Sequence, residues 1–177
     1  MTVPVILALV ALQRLLELVL ARRNTARLMA SGGVEVGAGH YPLFVILHGG
    51  WLLAMLAFIP WSAPIDWRFF LVYLLLQPLR VWVVASLGGR WTTRIIVLPG
   101  QRLVRQGPYR WLRHPNYLIV ALELPLLPLS FGSLRLALIF GALNLMLLAW
   151  RCRVEDRALR ALCPRDDEAE YGRSAGI

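Results

Sequence analysis

Lysine is missing from this chain: all 19 basic residues are arginine, set against 10 acids, for a net charge of +9. Such arginine-only usage is what a GC-rich bacterial genome gives. Charge is also sparse, at 16% of residues. The arginines cluster between apolar runs instead of covering one soluble face, which argues against a nucleic-acid binder and suits anionic lipid headgroups and topology setting. There are 2 cysteines, Cys152 and Cys163, too few for a disulfide framework. No Cys/His spacing supports a metal site. The glycine-rich stretch 31–41 has neither P-loop spacing nor a lysine, which excludes a phosphate cradle there. The first apolar run lacks a charged leader, carries Arg14 and Glu17, and shows no small-residue cleavage site, so no cleavable signal peptide is expected. No internal repeat or low-complexity tract is visible.

What the chain has in abundance is hydrocarbon. Apolar residues make up 58% and the mean hydropathy is +0.61, beyond what a water-soluble domain of 177 residues needs. Five apolar runs approach the ~20 residues of a membrane span: roughly 2–21, 43–61, 69–87, 118–131 and 134–150. The fourth is short and broken by Pro125 and Pro128, so runs four and five are expected to form a kinked hairpin turning at Ser130-Phe131-Gly132-Ser133. The expected fold is thus an all-α integral membrane protein of about five transmembrane helices. It reads as one domain, with three spans in 1–88 and the chemistry in 89–177.

Arginine placement orients it. Arg22, Arg23 and Arg27 follow run one, a second group lies between runs three and four, and a third follows run five. The other loops offer only Arg68 and Arg135. The positive-inside rule then puts the N-terminus outside and the C-terminus in the cytoplasm of a bacterial cell membrane, with both cysteines on the reducing side. The acidic tail that begins at Cys163 reads as a solvated end without a role.

On the cytoplasmic side, just before run four, stands Gly107-Pro108-Tyr109-Arg110-Trp111-Leu112-Arg113-His114-Pro115-Asn116-Tyr117. Pro108 and Pro115 fix the backbone around a basic run, and Pro115 suits the first turn of span four. His114 then falls at the helix N-cap, where free N–H groups and the dipole favour an anion. Arg110 and Arg113 add donors whose fork matches a carboxylate. After run five, Arg151-Cys152-Arg153-Val154-Glu155-Asp156-Arg157 returns to the same side. Glu155 suits ribose hydroxyls or an amine, and Arg151 or Arg153 suits an anionic acceptor; a helix-end ion pair is the plainer reading of both. Glu123, an acid at membrane depth, is either a functional group or a partner for Arg80 or Gln77. Arg14 and Glu17, three apart, are expected to pair and to seal spans together.

Taken together, Leu103-Val104, Gly107-Pro108-Tyr109-Arg110, Arg113-His114-Pro115-Asn116-Tyr117 and Arg153-Val154-Glu155-Asp156-Arg157-Ala158-Leu159 resemble the isoprenylcysteine carboxyl methyltransferase family. Asp156 stands where a second Glu is usual. The match runs from about 82 to 162. It implies an integral-membrane enzyme using S-adenosylmethionine, with Gln101, Val104, Gly107, Tyr109, Arg113, His114, Pro115, Tyr117 and Glu155 holding the cofactor in a cytoplasmic pocket. Glu123, Arg153 and Arg151 would position the acceptor. Ala21-Arg22-Arg23-Asn24, Gly33-Val34-Glu35, Gly39-His40-Tyr41 and His48 resemble a bacterial branch that methylates alkylpyrones or phenolic lipids. A lipophilic acceptor entering sideways from the membrane is therefore implied, with a prenylcysteine-type carboxylate as the other acceptor. A phenol would need a base, for which Glu123 or His40 offer themselves. Two other classes stay open: an NADPH-dependent lipid reductase, usually a much longer chain, and a non-catalytic membrane scaffold.

Overall fold

A computed structural model of the chain describes residues 2–163; Met1, the tail from 164 onward and the side chain of His40 lie outside the described residues. In order come α1 (Thr2–Ala30), β1 (Val34–Val36), α2 (Tyr41–Phe58), α3 (Trp67–Leu87), β2 (Ile95–Val97), α4 (Pro115–Ser130) and α5 (Leu134–Leu162), with 3-10 turns at Ala38–His40, Gly88–Arg90 and Gly107–Arg110. Each apolar run is a helix. Four helices are long and apolar enough to cross a membrane. The remaining one, α4, has 16 residues, short of the ~20 of a perpendicular crossing.

The helices outrun the hydropathy at two places. α1 and α5 each have 29 residues, where the apolar runs stop at 21 and 150. Hydropathy marks where lipid would end; Ala, Leu and Arg continue a helix regardless. At roughly 43 Å each, these helices exceed the ~30 Å hydrocarbon core, and their polar ends frame the functional site.

A second departure from an all-helical chain is a small antiparallel ribbon pairing Val34 with Val97 and Val36 with Ile95. Strands of 3 residues carry no usable periodicity. The ribbon forms because Ile95 and Val97 bury against Ala158 of α5, with Val154 and Leu162 around them. Asn24 of α1 anchors the approach, donating to the carbonyls of Gly88 and Trp91 at 3.1 and 2.8 Å.

α4 and α5 form the expected hairpin. Gly132 adopts φ +76, and Ser133 N–H closes the turn on the Pro128 carbonyl at 2.9 Å. Pro128 has no N–H to offer the carbonyl of Leu124 four residues back. The fully buried Trp51 of α2 supplies the donor instead, its Nε1 bonding Leu124 O at 3.0 Å. The main core lies around this bond, from Val3, Leu7 and Val10 of α1 to Leu47 and Met55 of α2 and Leu127 of α4.

Between α1, α3 and α4 the interior is ionic. Glu123, 0% exposed, accepts Arg14 Nη2 and Arg80 Nη1 on Oε2, both at 2.8 Å, and Gln77 Nε2 on Oε1 at 3.0 Å. Glu17 accepts two bonds from Arg80, at 2.5 and 2.6 Å, and one from Arg14 at 3.1 Å. Two guanidinium groups thus balance two carboxylates, which is how charge survives inside a bilayer. The outer surface is the reverse: Leu9, Ile46, Leu75, Leu138 and Met146 are each more than 60% exposed, a coat suited to lipid and not to water.

Candidate active site

The segment 98–113 wraps the C-terminal end of α3 and is held from several sides. Gln106 Nε2 donates to the Ser86 carbonyl at 2.7 Å. Gly107, at φ +55, passes so close to α3 that a Cβ would sit 2.2 Å from Ser86 Oγ; only glycine fits both the angle and the gap. Pro108 is buried and opens the 3-10 turn, which places Tyr109 against Leu76, Val83 and Ile119. Burial, reinforced by the charge of Glu155, pushes the Tyr109 phenol above its ordinary value, so it stays protonated. Arg90 ties down the outer part, donating to Gln101 Oε1 at 2.7 Å and to the Arg102 carbonyl at 2.9 Å.

His114 is the N-cap of α4 and makes no side-chain cap bond, with Pro115 in the first turn. Its ring is free to face sideways. It stacks on Tyr117 with centroids 5.2 Å apart and planes 12° apart. His114 Nε2 lies 3.0 Å from Asp156 Oδ1, and Arg113 Nε reaches the same oxygen at 3.1 Å. From α5, Arg151 Nε donates to the Tyr117 hydroxyl at 2.6 Å, and that hydroxyl donates to Glu155 Oε2. The Arg151 guanidinium lies against the rings of Phe44 and Tyr117, at 5.3 and 5.4 Å. Arg151, Tyr117 and Glu155 are thus one polar chain joining α4 to α5.

These groups face a cavity of about 1010 Å³. Gln101, Val104, Tyr109, Arg113, His114, Tyr117 and Glu155 line it, as does Arg151. Gly107 and Pro115 are off its wall and shape it through the backbone. Arg153 is exposed and also off the wall, so of the two arginines the structure brings Arg151 to the cavity. Glu123 is not on the wall either; its oxygens are engaged by Arg14, Arg80 and Gln77 in the ionic layer. His48 bonds the Phe44 carbonyl through Nδ1 at 2.8 Å, away from this cavity. Both cysteines carry free thiols.

Sequence reasoning missed part of the wall. Trp91, Arg94 and the strand Ile95–Val97 close one side, with Arg94 paired to Glu35 at 2.9 Å and lying over the Tyr41 ring. Asn116, inside the quoted motif, also lines the cavity. Two buried atoms there have no partner, Asn116 Oδ1 and Trp91 Nε1.

Comparison with known proteins agrees in kind. An uncharacterized protein of Bacillus subtilis strain 168, YpbQ, is 36% identical over 159 residues, covering 88% of this chain and 95% of that protein. An uncharacterized protein of Haemophilus influenzae is 32% identical over 85 residues, 48% of this chain and 49% of that protein. No solved structure matches. Residues 69–161, which hold α3, the wrapped segment and the α4–α5 hairpin, match the isoprenylcysteine carboxyl methyltransferase (ICMT) family, and the chain belongs to that family.

Proposed function

We propose that the protein is an S-adenosylmethionine-dependent O-methyltransferase acting at the membrane on a lipophilic acceptor: an alkylpyrone, a phenolic lipid or a prenylcysteine-type carboxylate. The observation that carries the reading is the Arg151–Tyr117–Glu155 chain on the wall of the large cavity, beside Gln101, Arg113 and His114. That donor and acceptor set fits a ligand with hydroxyls, an amine, a carboxylate and a heteroaromatic edge.

When bound, S-adenosylmethionine supplies a sulfonium-activated methyl group, which passes to an acceptor oxygen as the carbon–sulfur bond breaks. Arg113 suits its carboxylate, Glu155 suits ribose hydroxyls or the amine, and Gln101, Val104 and Tyr109 close around the remainder. Gly107 and Pro115 hold the wall in shape. Arg151, desolvated between two rings, steadies the acceptor oxygen and favours its ionised form. An acidic acceptor needs no base beyond that. Alignment and exclusion of water are then the main contributions of the protein. Glu123 we assign to the packing of α1, α3 and α4, and Arg153 to the cytoplasmic surface.

Calorimetric titration of the detergent-purified protein with S-adenosylmethionine and S-adenosylhomocysteine tests this. The wild type is expected to bind both. Glu155→Ala and His114→Ala should each weaken binding by about tenfold or more, ~1.4 kcal/mol. A folded wild type that binds neither ligand would end the methyltransferase reading.

A further inference from the structure

The segment that follows β2 turns back along α3 instead of leaving it. Trp111 meets Trp82 edge to face with ring centroids 6.1 Å apart, and Trp82 lies roughly 7 Å back from Leu87, where α3 ends. Tyr109 reaches deeper, packing on Leu76 and Val83 of α3 and on Ile119 of α4. α3 is one of the helices long and apolar enough to cross a membrane. A turn at the level of Trp82 and Val83 lies below the end of that span, not in the water beyond it.

The outward side chains of the turn suit that depth. Trp111 is 70% exposed, and Leu103 and Leu112 are each 46% exposed. They continue the lipid-suited coat of α3, where Trp82 is exposed, and that of α4, where Leu118 and Leu122 stand exposed one turn apart. The backbone is suited as well. The N–H groups of Trp111 and Leu112 both bond the Pro108 carbonyl, at 3.2 and 3.0 Å, and that of Tyr109 bonds the Gln106 carbonyl at 3.2 Å. These donors need no water, which is what backbone near hydrocarbon requires. Arg110 and Arg113 stand exposed on either side of Trp111 and Leu112, on stems long enough to carry a guanidinium to headgroups. An exposed indole and leucines flanked by guanidinium groups, beside the end of a span, are the composition of a headgroup boundary.

We infer that the segment 103–112 docks into the lipid leaflet at the C-terminal end of α3, with Trp111 and Leu112 at the boundary between acyl chains and headgroups. Leu103, Trp111 and Leu112 also line the large cavity, so docking brings that part of the cavity rim to the lipid surface. The occupant is the bilayer, because the patch is continuous with the lipid-suited faces of two helices and has arginines at its edge. The inference holds whatever the large cavity binds.

Spin labels read the depth. In a Cys152→Ser/Cys163→Ser background, a label at Leu112→Cys is compared with labels at Leu75→Cys, near the middle of α3, and Ser31→Cys, in the turn after α1, all in nanodiscs of phosphatidylglycerol and phosphatidylcholine. Oxygen concentrates in hydrocarbon and a neutral nickel chelate stays in water. The ratio of their collision rates at Leu112 should exceed that at Ser31 by about threefold or more and fall short of that at Leu75. A ratio matching that at Ser31 would overturn the docking. Low accessibility to both reagents would overturn it too, since a second copy or another part of the chain would then cover the patch. A second readout needs no label. The tryptophan fluorescence lost in Trp111→Phe should be quenched by lipids brominated high on the acyl chain and shielded from aqueous iodide; quenching by iodide and not by the lipids would overturn the docking.

Discussion

Tyr117 is the hinge of the site at residue scale, because its one hydroxyl serves two partners of opposite charge. It accepts from Arg151 and donates to Glu155. Removing that oxygen leaves a guanidinium and a carboxylate in a half-buried pocket without the group that spaces them, a costly arrangement. Tyr117→Phe should therefore lower affinity for S-adenosylmethionine by about tenfold, ~1.4 kcal/mol, while the protein still folds and the ring still stacks on His114. Calorimetry and thermal unfolding on the same sample check both halves; unchanged affinity would remove Tyr117 from the site. Much of this was legible beforehand. Gly107, Pro108 and Pro115 announce a rigid segment, and the basic run they bracket carries a fork of donors suited to a carboxylate. The choice between Arg151 and Arg153 was not legible. Residues two apart on a helix point about 200° from each other, and nothing local says which direction is inward; packing against Phe44 and Tyr117 decides it.

At the scale of elements, charge inside the bilayer does the joining. Glu123 receives bonds from α1 and from α3 while belonging to α4. Taking one carboxylate from this balanced layer leaves Arg14 and Arg80 short of a partner where water cannot reach. Glu123→Ala should cost about 3–5 kcal/mol and lower the melting temperature in detergent clearly, with Glu123→Gln less harmful because Gln77 and one arginine can still bond. A variant with wild-type melting behaviour but impaired turnover would contradict the packing role and return Glu123 to the acceptor. Arg80 and Gln77 were visible in the sequence as possible partners of Glu123, and Arg14 with Glu17 as a pair that seals spans together; that Arg14 reaches Glu123 itself was not visible, since sequence spacing says nothing about which helices touch. The ribbon of Val34–Val36 with Ile95–Val97 was hidden for a similar reason: two short strands some sixty residues apart acquire meaning only from the face of α5 that they cover.

The whole molecule is a bundle with a lipid-like coat and two arginine-rich ends of helix that outrun the membrane. Its shortest apolar helix is α4, 16 residues with Pro125 and Pro128 inside. The hairpin with α5 and the arginine distribution support a crossing, and five crossings put the termini on opposite sides. Reporter fusions should then show an N-terminus outside the cell membrane and a cytoplasmic C-terminus; both termini on one side would mean that α4 does not cross. The five apolar runs could be read from hydropathy alone, but the cavity could not, because it is enclosed by the polar ends that hydropathy discards.

The central claim is methyl transfer to a lipid, and one measurement meets it directly. Purified protein is incubated with methyl-labelled S-adenosylmethionine and a bacterial lipid extract, and the organic phase is counted. The account predicts label in the organic phase, lost with Glu155→Ala; release as methanol by mild base marks a carboxylate acceptor, and resistance to base marks a phenol or pyrone ether. A wild-type protein that binds S-adenosylmethionine yet leaves all label in water, with the lipid extracts of several bacteria, would contradict it.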